Sequence, residues 1–285
     1  MINSKKLGYI YFVFGVILYS FSDAIMKNAM GIYSVHQVVF LRTIFRFVPI
    51  FGLMIFMKSN PYRSQRKGEN FLRAILASSG TYSAMKAYQE GAAMVDVFVV
   101  GGTTAIFVIP LSVWILHEKF NIMNLFAVVL GFSGICCAFR PGSGIFHVGI
   151  LFSVMAALIF AVNQVWIKKL AFTESEFTII SYHNTCLILI ALLFGWNEFR
   201  LVSIYDILIL SLGGVIGAFA QYSITKAFKF SSSSGLASAA YVMLIPNTII
   251  DYFVFKQTPD LYILVGLVLI SCGSFIAFRI QSKLK

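Results

Sequence analysis

The chain has little charge and few polar stretches for its length. Of its 285 residues, 12% are charged and 59% are hydrophobic, and only 11 are acidic. This composition is too apolar for a soluble globular protein of this size. The polar breaks between apolar runs are a few residues long, which leaves no room for a domain outside the membrane. The composition therefore excludes the soluble classes.

The usual signatures of metal binding and catalysis are also missing. The four cysteines fall inside apolar runs, without CxxC spacing and without neighbouring histidines, so neither a disulfide framework nor a zinc site is indicated. There is no HExxH, no P-loop and no pair of carboxylates at metal-ligand spacing. We therefore expect no cofactor, no metal and no enzyme activity. A membrane-embedded enzyme, such as a lipid-modifying transferase, remains the alternative from another class.

About ten apolar runs of roughly 20 residues, each followed by a short polar break, fill the chain almost from end to end. One helix needs about 20 mostly apolar residues to cross the hydrocarbon layer. Alternating ten-residue strands, which would indicate an outer-membrane barrel, are absent. The sequence predicts an all-α membrane protein with ten transmembrane helices. The predicted spans are 7–29, 34–57, 70–90, 94–116, 121–139, 146–168, 177–196, 204–227, 234–255 and 261–279.

The basic residues, which give a net charge of +11, gather in alternate breaks. A nucleic-acid-binding face would need to be contiguous, so no nucleic-acid partner is expected. By the positive-inside rule, the side of the membrane that is rich in basic residues is cytoplasmic, and both termini lie on that side. The rich side carries Lys5, Lys6, Lys58, Arg63, Arg66, Lys67, Lys119, Lys168, Lys169, Lys229, Arg279, Lys283 and Lys285, and the other carries Arg140, Arg200 and Lys256.

The second half of the chain repeats the first at an offset of roughly 140 residues. Ser22-Asp23 corresponds to Asn163-Gln164, Arg42 to His183, and Lys86-Ala87 to Lys226-Ala227. We predict two repeats, residues 1–142 and 143–285, with five helices each. Because five is odd, the second repeat enters the membrane upside down. Inverted repeats are an architecture of secondary transporters, which bind solute near the midplane.

Ionisable residues within the first-half spans are candidates for a solute site, because charge at membrane depth is costly. Three pairs have i,i+4 spacing, which puts their members on one helix face: Asp23 with Lys27, Arg42 with Arg46, and Lys86 with Glu90. The topology puts all three pairs in the outer parts of their spans. Alternatively, Lys27 and Glu90 reach the interface, or Asp23 and Glu90 hold the arginines in a gate. Tyr82 is an aromatic candidate for the same site.

The corresponding second-half residues are less charged and should lie toward the cytoplasmic side. The candidates are Gln164, His183, Gln221, Tyr222 and Lys226. His183 is equally compatible with a helix–helix hydrogen bond. Aromatic faces such as that of Tyr222 can hold a cation or stack on a purine. The contrast between the halves favours recognition of a charged solute from outside, which suits uptake.

The whole chain resembles the EamA branch of the drug/metabolite transporter superfamily. The resemblance lies in the two five-helix halves, in Ile109-Pro110 followed by His117-Glu118, and in Gly131-Phe132-Ser133-Gly134. The family usually has Gly-Glu where this chain has His117-Glu118. Short stretches such as Asp23-Ala24-Ile25-Met26-Lys27 and Thr258-Pro259-Asp260 are similar to S-adenosylmethionine uptake carriers of intracellular bacteria.

The resemblance implies a secondary carrier in the bacterial inner membrane that works by alternating access. It implies uptake of S-adenosylmethionine, in exchange for S-adenosylhomocysteine, while other family members export amino acids or drugs. Arg42 would bind the carboxylate through its planar fork. Asp23 would face the ammonium or sulfonium, or orient Arg42. We expect a small-molecule solute and the lipid bilayer as partners, and a monomer or weak dimer.

Overall fold

A computed structural model of the chain describes residues 4–30, 32–56, 60–90, 100–139, 148–253 and 261–283. These ranges contain helices and short connections, and no strand. The helices are α1 (Ser4–Met30), α2 (Val35–Phe56), α3 (Lys67–Gln89), α4 (Thr104–Leu116), α5 (Ile122–Phe139), α6 (Val148–Leu170), α7 (Glu176–Gly195), α8 (Ile204–Phe230), α9 (Ser233–Ala237), α10 (Leu244–Phe253) and α11 (Leu261–Lys283). Two 3₁₀ segments, Trp196–Glu198 and Ser238–Met243, follow α7 and α9.

Five stretches are long and apolar enough to cross a bilayer on their own: Ser4–Ile25, Val35–Phe56, Leu151–Leu170, Glu176–Glu198 and Ile204–Phe230. They coincide with predicted spans, and shorter apolar helices occupy the described parts of three others. Large apolar side chains such as Trp114, Phe194 and Leu201 project from the bundle with most of their surface uncovered. A bilayer would cover such a surface, whereas soluble monomers rarely expose apolar patches of this extent.

The ninth span differs from the single helix predicted over 234–255. It consists of α9, a 3₁₀ segment and α10, with Pro246 in the first turn of α10. Proline lacks an N–H and is tolerated in the first turn of a helix, where no intrahelical acceptor is needed. The corresponding Pro110 lies inside α4, which continues past it. Residues 94–99 and 254–255 of the predicted spans lie outside the described residues.

Corresponding helices of the two halves make corresponding contacts. α1 packs against α8, and its counterpart α6 packs against α3. α2 packs against α7, and α5 against α11, so each of these pairs joins counterparts. α4 contacts α6, and the ninth segment contacts α1. The fold is therefore an all-α membrane protein of two five-helix repeats, with the broken segment counted as one span. The proposed boundary at 142/143 falls among residues 140–147, outside the described residues.

The α5–α11 pair is held close by residues without side chains. A Cβ added at Gly134 would lie 2.8 Å from the backbone oxygen of Gly266, and one at Gly273 would lie 2.8 Å from that of Ala127. Small residues let helices approach closely in membranes, where van der Waals packing and hydrogen bonds drive association. This pair contributes none of the candidate site residues, which lie on α1, α2, α3, α6, α7 and α8.

Candidate functional site

Asp23 and Arg42 form an ion pair between α1 and α2. Arg42 Nη2 contacts Asp23 Oδ1 and also lies 3.4 Å from Ser22 Oγ. Ser22 Oγ donates a hydrogen bond to the backbone oxygen of Gly213 on α8, at 2.8 Å. The Asp23 side chain is 43% exposed and that of Arg42 is 15% exposed. The pair therefore offers a reachable carboxylate whose position is fixed by three helices. The side chain of Lys27 lies outside the described residues.

Arg46 lies one turn further along α2, close to the middle of that helix, and is 5% exposed. Its guanidinium carbon lies 5.5 Å from the ring centre of Tyr19, and that of Arg42 lies 6.0 Å from the same ring. Among the described residues, Arg46 has no hydrogen-bond acceptor and no ion-pair partner, and its Nε is enclosed. The two arginines, which have i,i+4 spacing, both lie near Tyr19, and among the described residues only Arg42 is paired with a carboxylate.

Gly217 on α8 makes room for the Arg46 guanidinium. A Cβ added at Gly217 would lie 3.0 Å from Ser22 Oγ, 3.2 Å from Arg46 Nε and 3.3 Å from Arg46 Nη2. These distances are at the tight end of ordinary contacts, so a side chain there would press on both groups. The missing side chain thus allows α8 to lie directly against the arginine.

Arg73 on α3 is a buried cation that the sequence analysis missed. It is 1% exposed, and its Nη1 and Nη2 donate to Asn163 Oδ1 at 3.1 Å and to the backbone oxygen of Ile179 at 2.7 Å. Both acceptors are uncharged oxygens. Arg73 falls inside the predicted span 70–90, so the cost of charge at membrane depth was a signal that could have identified it.

His183 on α7 and Gln221 on α8 are neighbours. Gln221 Nε2 lies 3.1 Å from His183 Nδ1, while His183 Nε2 and Gln221 Oε1 are enclosed without a partner among the described residues. The charges of Arg73 and Arg46 both act on the imidazole. Gln164 is half-buried and makes no side-chain hydrogen bond to another described residue.

Lys226 and Tyr222 form an aromatic-lined cation site on α8. Lys226 Nζ donates to Tyr222 Oη at 3.0 Å and lies 5.2 Å from the ring centre of Tyr11 on α1. Phe177 of α7 stacks on Tyr222, with ring centres 5.3 Å apart. The rings already hold a cation, so this group is less open to a cationic solute than the sequence suggested.

Lys86 and Tyr82 on α3 form a separate group. Lys86 pairs with Glu90 on its own helix at 2.8 Å, and both side chains are exposed. Tyr82 lies against His36, with ring centres 5.3 Å apart, and its hydroxyl is enclosed without a partner among the described residues. The alternative in which Glu90 holds the paired arginines is therefore wrong, because Glu90 is paired with Lys86.

Two sets of contacts join the halves of the chain at the end of the bundle that the predicted topology places outside. Tyr33 Oη donates to Asp206 Oδ2 at 2.6 Å, and this hydrogen bond to a carboxylate raises the pKa of Tyr33. Gln37 exchanges two hydrogen bonds with the backbone of Arg200, at 2.6 and 3.1 Å. These contacts hold the start of α2 against the α7–α8 connection.

The opposite end has its own contacts between the halves. Glu118 accepts hydrogen bonds from Ser233 N at 2.9 Å and from Ser234 Oγ at 2.7 Å, and so caps α9. The preceding residue, His117, ends α4 in the left-handed conformation, with a φ of 53°. Glu174 accepts from Ser64 Oγ at 2.9 Å and from Arg66 N at 2.8 Å. Glu118 thus links the α4–α5 connection to the ninth segment.

No cluster of three or more His, Cys, Asp or Glu side chains that could hold a metal occurs within the described ranges. The charged groups instead form a band across the bundle, from Asp23 and Arg42 through Arg46 to His183 and Arg73. Within this band the described side chains include three arginines and one carboxylate. Such a band has the charge to bind an anionic or dipolar solute.

Comparison with known proteins identifies relatives over nearly the whole chain. The S-adenosylmethionine uptake transporter of Rickettsia prowazekii (strain Madrid E) is 24% identical over 266 residues, covering 92% of this chain and 89% of that protein. Its counterpart from Rickettsia bellii is 22% identical and covers 94% and 92%. Other relatives are named riboflavin transporter and pseudopaline exporter. One crystal structure shares the fold with a TM-score of 0.82, 14% identity and 98% coverage of both chains.

The EamA-like transporter family matches this chain twice, over residues 6–140 and again over residues 147–279. The two matches correspond to the two sets of five helices that make corresponding contacts. The match agrees with the resemblance inferred from the sequence. The chain belongs to the EamA-like transporter family.

Proposed function

We propose that this protein is a secondary-active carrier that takes up S-adenosylmethionine across the bacterial inner membrane. The observation that carries the proposal is the half-exposed Asp23 carboxylate, held by Arg42 beside Tyr19 in a transporter whose Rickettsia relatives are named for that solute. S-Adenosylmethionine has an ammonium and a sulfonium for the carboxylate and the aromatic ring. Its own carboxylate matches the surplus of arginine.

In this mechanism Arg42 is a positioning residue for Asp23. Its Nη2 joins Asp23 to Ser22, and Ser22 in turn is bonded to α8. A carboxylate fixed in this way meets a cationic solute without reorganisation. The sequence-based assignment of Arg42 to the solute carboxylate is weaker in this light, because Arg42 is already paired with the carboxylate of Asp23.

Alternating access requires the contacts at the two ends of the bundle to break in turn. The Tyr33–Asp206 and Gln37–Arg200 contacts lie at one end, and the Glu118 cap and the Glu174 contacts lie at the other. Each contact joins the first half to the second, so rocking of the halves would release one set and keep the other. We propose that the first set faces outward and that both termini are cytoplasmic.

Uptake of labelled S-adenosylmethionine by cells that produce the protein tests this proposal. We expect uptake that competes with unlabelled S-adenosylhomocysteine and is unchanged by Arg63→Gln, a control at an exposed arginine outside the spans. Recovery of the label as unchanged S-adenosylmethionine distinguishes a carrier from the enzyme alternative. Faster loss of label from preloaded cells, without uptake, would favour an exporter.

The second candidate function is export of an amino acid or a drug. The relatives named for riboflavin and pseudopaline transport support a wide solute range in this family. Competition by these compound classes, and not by S-adenosylhomocysteine, would favour that function. We propose a monomer or weak dimer, because both halves of the site lie in one chain.

A further inference from the structure

Arg46 has an unusual position for a charged side chain. It lies near the middle of α2, is 5% exposed, and has no acceptor among the described residues. Ionisable groups at this depth are rare and normally paired, because a bilayer and a packed interior solvate charge poorly. The ring of Tyr19 offers only a weak cation–π contact in place of a counter-charge.

The nearby carboxylate of Asp23 makes no ion pair with Arg46. Asp23 is paired with Arg42, and no described carboxylate lies within ion-pair distance of Arg46 or Arg73. Arg73 has two neutral oxygen acceptors, whereas no described residue accepts a hydrogen bond from Arg46. Of Arg42, Arg46 and Arg73, only Arg46 has no acceptor among the described residues, and it lies between the Asp23–Arg42 pair and the His183–Gln221 group.

We propose that Arg46 is the binding residue for the anionic group of the transported solute, with Gly217 as the residue that leaves room for its guanidinium beside α8. The planar fork of arginine suits a carboxylate, which it can bind through two parallel hydrogen bonds. The solute then brings the counter-charge that the described residues do not supply. This inference rests on the proposed transport function. It adds that different residues bind the cationic and the anionic groups of the solute.

The division assigns opposite charges of one solute to neighbouring residues. Asp23, half-exposed and held by Arg42, takes the cationic part, and Arg46, one turn deeper on α2, takes the carboxylate. A solute that carries both charges close together, as an α-amino acid group does, satisfies both residues at once. A cation without a carboxylate would leave Arg46 unpaired and should be transported poorly.

Two probes that differ only in the carboxylate test this assignment. They are labelled S-adenosylmethionine and its decarboxylated analogue, compared in cells producing the native protein, Arg46→Gln or the control Arg63→Gln. A charge-assisted hydrogen bond to the carboxylate corresponds to about tenfold to hundredfold in transport efficiency. We expect Arg46→Gln to lose about this factor for S-adenosylmethionine only, so that the preference between the probes disappears.

The substrate-free protein gives a second readout that does not depend on the identity of the solute. An unpaired buried charge destabilises the empty state, so we expect Arg46→Gln to raise the midpoint of thermal unfolding in detergent. If Arg46 instead has a structural role, this variant should unfold at lower temperature or fail to reach the membrane. Either of those results would overturn the assignment.

The two readouts separate the inference from the proposed function. If the native protein takes up neither probe, the proposed solute is wrong, and the unfolding midpoint of Arg46→Gln still decides the role of Arg46. If the native protein takes up S-adenosylmethionine and Arg46→Gln keeps its preference for the carboxylate, the proposed function survives and the Arg46 assignment fails.

Discussion

Replacing Arg42 with lysine separates a precise positioning role from a general need for positive charge. The native Arg42 guanidinium contacts both Asp23 and its neighbour on α1, Ser22. Ser22 in turn donates a hydrogen bond to the backbone oxygen of Gly213 on α8. A lysine ammonium keeps the charge opposite Asp23 but is a compact group without the planar fork. We expect Arg42→Lys to reach the membrane normally and to transport poorly.

The size of the effect follows from the exposure of the pair. A hydrogen bond between charged groups contributes about 1.5–3 kcal/mol when it is protected from water. Asp23 is 43% exposed, so water competes and the lower end of this range applies. Because about 1.4 kcal/mol corresponds to a factor of ten, initial uptake rates should fall about tenfold.

The partner variant Asp23→Asn has a different expected outcome. It removes the counter-charge of Arg42, whose side chain is only 15% exposed, so both transport and the amount of folded protein should fall. We expect a destabilisation of about 1–3 kcal/mol, less than for a fully buried pair. The double variant Asp23→Asn/Arg42→Gln should recover part of the folded protein, because it leaves no unpaired charge.

Initial uptake of labelled S-adenosylmethionine, normalised to protein in the membrane, measures these effects. Arg63→Gln, in an exposed connection, serves as the matched control and should behave like the native protein. Wild-type uptake by Arg42→Lys would refute the positioning role of Arg42. In that case Lys86, with its exposed ammonium, would be the next candidate, and the solute range should be broader.

Three further predictions concern the fold. His117→Gly should raise stability by about 0.5–1 kcal/mol in detergent unfolding, because His117 has a φ of 53° that glycine adopts freely; a lower midpoint would contradict this. Gly134→Ala should destabilise by about 1–3 kcal/mol, since its Cβ would lie 2.8 Å from the backbone of Gly266, and an unchanged midpoint would refute close packing. Gln65→Cys, exposed in the α2–α3 connection, should react with an impermeant maleimide only after permeabilisation; labelling of intact cells would reverse the proposed topology.

The spans were predictable from the sequence because apolar length alone specifies them. The break in the ninth span was not, because Pro110 and Pro246 occupy matching positions and each lies within a helix, Pro110 inside α4 and Pro246 in the first turn of α10. Tertiary contacts accompany the break in the ninth span. Glu118 caps α9 through Ser233 and Ser234, and the 3₁₀ segment then leads to Pro246 at the start of α10.

The candidate site was predictable in part. Depth within the spans placed Asp23 and Arg42 in the same region of the bundle but allowed several partners for each charge, and the structure pairs the two. Pairing depends on helix rotation, which the sequence does not reveal: Glu90 pairs with Lys86, and Arg46 has no described partner. Arg73 was missed, although its position inside a predicted span was a sufficient signal.

Counterflow in vesicles containing the purified protein tests the central claim most directly, because it requires no energy source and detects exchange alone. Vesicles preloaded with unlabelled S-adenosylhomocysteine or S-adenosylmethionine are diluted into a trace of labelled S-adenosylmethionine. We predict transient accumulation of unchanged label in the loaded vesicles, and far less in empty vesicles or in vesicles containing Arg42→Lys. Equal labelling of loaded, empty and protein-free vesicles, or conversion of the label to another compound, would contradict the account.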